Sequence, residues 1–390
     1  MNSHARPQSD ARPSRFLPWG LGLLLVLGCV AIYQHVGEFG FLTFDDEYNI
    51  VFNPHMGPLT LERVRWAFSD SAYMRRWIPL GWLGYSAEFS VSGLNPVGYH
   101  LAGLVFHAIN SLLFFRLLWL LTQFSPAGSD SRNREWTLLG AFLGAVFWAW
   151  HPLRVESVAW VAALLYWQAE FFLLLAFIGF VRAPAKPGSR AGALLGYTAS
   201  LLTSPFAIGF APVFALVAWW RLRDWRRAAW IAVPFFVVGI IVMGINVAAR
   251  VGAAADFIPA PTLTQFPPIA RVMQLCYVWT YFAWIPFWPT TLTLFNPVLV
   301  NFNPGSAPFV LSAVVVVAAI VTCVAWPRAR RTAGVFVLAH LCVLVPMAGL
   351  LERPHFPSDR YSAFPQAILA AALVLGLLRL RSARARFLVV

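Results

Sequence analysis

The sequence predicts an all-α polytopic membrane protein of about ten transmembrane helices, with outer-face loops and interfacial helices. Three observations predict it: 59% of the 390 residues are apolar and only 12% charged, the apolar residues fall into long runs, and basic residues punctuate alternate connections between them. This much apolar surface exceeds what one soluble core can bury, so lipid must be the solvent. The 33 Phe, 18 Trp and 10 Tyr fit headgroup-level belts and helix packing. A net charge of +13 could signal nucleic acid, but the basic residues are placed as topology signals, which excludes that class.

Ten apolar runs read as spans: 16–36, 98–123, 136–150, 163–181, 191–203, 205–220, 228–248, 308–326, 332–349 and 363–379. The runs 136–150 and 191–203 are short for a full crossing and read as helices ending in a break, as cavity-lining helices do. The first run resembles a signal sequence, and Val26–Cys29 faintly resembles a lipoprotein processing site. Nine further spans make an uncleaved anchor the better reading. Cys29, Cys276, Cys323 and Cys342 lie in apolar stretches without metal-ligand spacing and read as small core residues.

Charge sets the expected orientation. The tail 1–15, the loops 124–135, 182–190, 221–227 and 327–331, and the tail 379–390 together hold 19 of the 29 basic residues and four of the 16 acidic ones. The positive-inside rule places this side, with both termini, in the cytoplasm of a cell inner membrane. The expected organisation is a cytoplasmic tail 1–15, a membrane domain 16–380 and a cytoplasmic tail 381–390. Segment 269–288 is long and apolar enough to cross, yet a crossing would carry Arg328, Arg330 and Arg331 outside. It is therefore expected to be an interfacial or re-entrant element that does not cross once, interrupted by Pro267, Pro268, Pro286 and Pro289. Two long outer loops result, 37–97 and 249–307, with a shorter one at 350–362. Thr60 is a candidate N-cap for a surface helix beginning at Leu61.

The charged constellations gather on the outer side. Asp45, Asp46 and Glu47 are adjacent carboxylates whose mutual repulsion raises at least one pKa, giving a base, a cation site or a solvated acidic turn. His100, Gly103, His107 and Asn110 share one helix face, where interhelical hydrogen bonding is a better reading than metal ligation. His151, Arg154 and Glu156 flank a helix break at Pro152, either to hold a phosphate or hydroxyl or as a salt-bridged corner. Ser358, Asp359, Arg360 and Tyr361 open the last span, where Arg360 faces either an anionic headgroup or Asp359. Polar residues at several depths, which a transport pathway needs, are few: the His100 stripe, Arg116, Gln168 and Glu170.

In order along the chain, Phe44–Tyr48, Asn53-Pro54-His55, Leu94-Asn95-Pro96 with Tyr99-His100, the His151–Trp160 string and Ser358–Tyr361 resemble a known family. It is the membrane region of the transmembrane and tetratricopeptide-repeat O-mannosyltransferases and their bacterial relatives, in the C-type glycosyltransferase superfamily, here without the repeats. The resemblance implies a polyprenyl-phosphate-linked sugar as donor and a hydroxyl of a protein or other acceptor as the site of transfer. Membrane lipid, lipid-linked sugar and a protein acceptor or membrane-complex partner are the implied partners. Asp45 and Asp46 inherit the role of base or acceptor-positioning group, Asp45 being favoured as base, with Glu47 beside them. Arg154, Arg360 and Arg271 are the candidates for the donor phosphate; His151, Glu156, His100, His107, Asn110, Asp359 and Tyr361 support them. No cofactor is identified, and the three adjacent carboxylates allow but do not require a divalent cation.

The sequence departs from the family where phosphate is handled. Ala163–Tyr166 stands where an Arg or Lys and an Asp are usual, Thr203-Ser204-Pro205 replaces Ser-Lys-Pro, and the helix before Trp288-Pro289 keeps only Arg271. The alternative reading is a catalytically degenerate scaffold or accessory subunit of a membrane complex; a lipid or solute transporter is a third.

Overall fold

A computed structural model of the chain describes residues 16–124, 134–252, 263–325, 333–350 and 358–387, with no side chains described beyond 380. The expected tail 1–15, the Arg328–Arg331 cluster, Pro357 and the side chains of the tail 381–390 lie outside the described residues. Among the described residues the regular structure is helical throughout, and the chain is an all-α polytopic membrane protein. In chain order the helices are α1 (Leu17–Tyr33), α2 (Leu61–Ser69), α3 (Pro79–Ser92), α4 (Pro96–Gln123), α5 (Arg134–Ala149), α6 (Val155–Ala159), α7 (Leu164–Arg182) and α8 (Pro187–Thr203). They continue with α9 (Ala211–Leu222), α10 (Trp225–Gly252), α11 (Pro268–Trp284), α12 (Pro297–Val300), α13 (Ala307–Ala325), α14 (Ala333–Leu344) and α15 (Ala363–Phe387).

Each of the ten apolar runs is a helix, but not all are long enough to cross alone. Seven described helices have the length and apolarity for a span, and α5 together with the segment Pro152–Ala159 reaches them as a pair bent by 54°, the geometry of a broken span or a re-entrant loop. α8, of 17 residues, and α14, of 12, fall short of the roughly 20 that a bilayer requires. The bend has a local cause. Pro152 cannot donate to the helix and its ring clashes with the preceding turn. His151 takes over as cap, its Nδ1 accepting from the Leu153 amide at 3.2 Å.

Helix starts follow local chemistry. Thr60 caps α2 through Oγ1, which accepts from the Arg63 amide at 3.3 Å. Asn95 Oδ1 accepts from the Val97 amide at 3.1 Å, with Pro96 at the first helical position of α4. The turn before it needs Gly93, whose φ of +58° disfavours a side chain. The 37–97 loop thus holds α2, as expected, and also α3, which lacks the length of a membrane span and escaped the sequence reading.

The core is aromatic. Phe214 stacks on Phe177 at 4.3 Å and on Phe235 at 4.1 Å, joining α7, α9 and α10. At Gly209 a Cβ would lie 2.7 Å from the Cys342 carbonyl, so only glycine lets the turn before α9 cross α14. The polar stripe of α4 stitches the bundle. His100 donates to the Gly40 carbonyl (3.3 Å), His107 to the Ala149 carbonyl (3.0 Å) and Asn110 to the Trp167 carbonyl (2.9 Å). All three are buried, and the Ala149 carbonyl is one that the end of α5 leaves open.

Candidate functional site

Segments from the two long loops, the α5–α7 break and the turn before α15 meet at one end of the bundle, the loop face. The turn Asp359–Ser362 packs on Pro152–Arg154 and on α6. His151, 8% exposed, donates from Nε2 to the Pro286 carbonyl at 2.9 Å, tying the break to the segment after α11.

The three adjacent carboxylates have different surroundings. Asp46 is fully buried, its two oxygens accepting from the amides of Leu42 (2.9 Å) and Ala162 (2.8 Å). Burial pushes its carboxyl up to about 6, against those two amides and with the help of the Asp45 charge. Asp45 is half-buried and takes no hydrogen bond among the described residues; Glu47 is likewise half-buried. Asp46 is therefore a fastener between the first loop and the α6–α7 junction, while Asp45 keeps a carboxylate available.

The Asp46 environment has a pH signature. Its folded-state pKa lies above its unfolded value near 3.9, so the fold binds more protons there. The stability it contributes is complete below about pH 4 and is lost as pH rises through about 6. Thermal unfolding in detergent from pH 5 to 7.5 is expected to show wild type losing stability with rising pH, with a flatter profile for Asp46→Asn.

Arg360 is linked to the carboxylate-bearing turn through the packing. Its Nη1 donates to Glu156 Oε1 at 2.6 Å, while its backbone amide donates to Glu156 Oε2 at 2.8 Å. The guanidinium lies 4.6 Å from the Trp160 ring and 5.1 Å from the Tyr361 ring. Phe44, next to Asp45, packs on the same Trp160 at 6.0 Å and on Phe295 at 6.1 Å. Trp160 thus joins the carboxylate-bearing turn to Arg360. Tyr361 meets Tyr166 and Phe206 through its ring. Asp359 does not hold Arg360: it accepts from Tyr281 Oη and the Thr293 amide, both at 2.9 Å.

Two other candidate cations make hydrogen bonds within the fold, Arg154 through Nη2 alone. Arg154 is fully buried, donating to Ser362 Oγ and to Gln366 Oε1 (3.1 Å), with its guanidinium 5.7 Å from the Trp148 ring. It fastens the turn that carries Arg360. Arg271 donates to the carbonyls of Phe266 (2.8 Å) and Leu350.

Sequence reasoning missed Arg76. It donates to Asn49 Oδ1 and lies 5.1 Å from the Trp82 ring. Two signals were available: Asn49 follows Asp45 by four residues, one helical turn, and Arg75-Arg76 is a basic pair in a loop assigned to the poorly basic side. Among the described residues no three His, Cys, Asp or Glu side chains converge as a metal site.

No model of a known protein family matches the chain, and no solved structure matches it. The chain is similar to the protein O-mannosyl-transferases TMTC3 of Homo sapiens, 24% identical over 43% of this chain and 18% of that protein, and TMTC4 of Homo sapiens, 28% identical over 44% and 24%. It is also similar to TMTC1 of Mus musculus, 27% identical over 46% of this chain and 19% of that protein. These matches span a quarter or less of the relatives' own length. Within that extent, the chain is distantly similar to the TMTC protein O-mannosyl-transferases.

Proposed function

We propose that the chain is a membrane glycosyltransferase that moves a sugar from a polyprenyl-phosphate-linked donor to a hydroxyl of a protein or other acceptor on the extracytoplasmic face. The observation that carries the reading is the pairing, through Trp160, of an unengaged carboxylate at Asp45 with a fixed cation at Arg360. The relatives' names supply the reaction class.

The chemistry follows from that pairing. The acceptor oxygen attacks the sugar's anomeric carbon, the bond from that carbon to the phosphate oxygen breaks, and the lipid phosphate leaves with the electron pair. Asp45 takes the proton of the attacking hydroxyl. Arg360, fixed by Glu156, stabilises the charge building on the phosphate, and a preset cation needs no reorganisation at that moment. Transfer of mannose from polyprenyl phosphate mannose to an acceptor in lipid nanodiscs tests this reading, wild type against Asp45→Asn.

The degenerate-scaffold reading rests on a different observation: Arg154 and Arg271 both make hydrogen bonds within the fold. A scaffold keeps its architecture and its partners when Asp45 is replaced, and shows no transfer in wild type.

The same reading places the loop face outside the cell inner membrane, with both termini cytoplasmic and α11 lying in the interface. Both parts of that helix touch loop-face segments. Gln274 donates to the Ala348 carbonyl at 2.6 Å, and beyond the C-terminus the Pro286 carbonyl takes the His151 bond. Single cysteines at Thr264 and Asn303, which flank α11 in a cysteine-free background, are expected to label alike with an impermeant maleimide. Labelling of one but not the other would show that α11 crosses.

A further inference from the structure

We infer that Arg76, delivered by the first long loop, is a second cation for the phosphate of a lipid-linked donor, acting together with Arg360 across the Tyr166 side chain. The inference rests on the transferase reading and names the group that offsets the family cations missing from this sequence.

Four observations support it. The first loop and the turn before α15 approach one place: the Tyr361 ring beside Arg360 meets the Tyr166 ring at 6.0 Å, and the Trp82 ring beside Arg76 meets Tyr85 at 6.2 Å, whose hydroxyl donates to the carbonyl of Ala162, four residues before Tyr166. Each is held at one nitrogen, Arg76 by Asn49 and Arg360 by Glu156, and each is backed by an indole ring, Trp82 at 5.1 Å and Trp160 at 4.6 Å. Each also has a buried Nε without an acceptor, and a buried donor left unmade is costly until an anion satisfies it. Finally, the two residues before Arg76, Met74 and Arg75, have φ of +53° and +57°, a conformation that side chains resist. That strained turn is what points the chain into Arg76.

Arg76 is also placed on the carboxylate side. Its partner Asn49 is buried one helical turn after Asp45 and Asp46. Tyr85, whose ring meets the Trp82 ring beside Arg76, donates to the Ala162 carbonyl at 3.0 Å, and the Ala162 amide holds Asp46. A phosphate lying against Tyr166 would therefore meet guanidinium groups from two different loops while its sugar faced Asp45. Two planar forks suit phosphate better than point charges do.

The test compares binding of farnesyl phosphate, farnesol and inorganic phosphate to the full chain in detergent micelles, for wild type, Arg76→Gln and Arg76→Lys. Wild type is expected to prefer farnesyl phosphate to both other probes. Arg76→Gln is expected to lose about tenfold or more on farnesyl phosphate, the effect of one charge-assisted hydrogen bond, and nothing on farnesol. Arg76→Lys, which keeps the charge that the fold packs on Trp82 but not the fork, should fall between the two. Farnesyl phosphate affinity equal to wild type in Arg76→Gln or Arg76→Lys overturns the role of Arg76 and leaves the transferase reading standing. Inorganic phosphate binding as tightly as farnesyl phosphate overturns the lipid assignment. A wild type that binds farnesol and farnesyl phosphate alike removes both the inference and the donor on which it rests.

Discussion

Asp45→Asn is expected to lower sugar transfer by about 10²- to 10⁴-fold, the range for loss of a general base, while expression and thermal stability stay at wild-type values. The separation follows from the geometry. Asp45 makes no hydrogen bond among the described residues, so the amide that replaces it costs the fold nothing it had. The neighbouring Asp46 has both oxygens committed to the Leu42 and Ala162 amides, so Asp46→Asn puts an NH2 group opposite one of those donors and acts through stability first. Rates from a lipid-linked mannose donor, measured beside melting curves, separate the two carboxylates. Wild-type transfer rates in Asp45→Asn would refute the enzymatic reading.

Glu156→Ala is expected to be the most damaging single change to the fold at the loop face, at about 3–5 kcal/mol. It leaves Arg360 buried without its counter-charge and its backbone amide without an acceptor. Replacing both members of the pair, as in Glu156→Leu with Arg360→Met, should restore most of that loss, because well-packed apolar residues often substitute for a buried ion pair without penalty. The double variant is then expected to be folded and inactive. That outcome assigns the pair to phosphate handling as well as to stability. A folded double variant with wild-type transfer would place Arg360 outside the chemistry. A double variant no more stable than Glu156→Ala would show that the pair acts through its wider surroundings.

Much of the architecture was legible because lipid imposes a one-dimensional rule. A helix that crosses a bilayer must be continuous in apolar sequence, so ten runs announced ten helices, and Pro152 announced the break after α5. The three-, four- and three-residue spacing from His100 to Asn110 likewise announced a buried face, since helical periodicity is a property of the chain alone. α3 went unannounced because it is neither long enough to span nor set off from the loop around it, and only packing against α2, α4 and α8 marks it as an element.

The site was legible as a set of residue types but not as a division of labour. Asp45 and Asp46 are indistinguishable in sequence; the amide that separates them belongs to Ala162, 116 residues away. Arg360 stands beside Asp359, yet its counter-charge is Glu156, 204 residues earlier, because the turn Asp359–Ser362 aims the neighbouring side chains at different elements. Arg154 carried the same charge as Arg360 in the sequence reading, and burial beneath the loop face turned it into a fastener for Ser362 and Gln366. The sequence by itself determined the solvent, the helices and the loops that hold the charges, because hydropathy and periodicity act along the chain. Tertiary structure alone decided which carboxylate is free, which arginine is held by Glu156 and that Arg76 is held by Asn49, because hydrogen bonding and desolvation act between residues that only the fold makes neighbours.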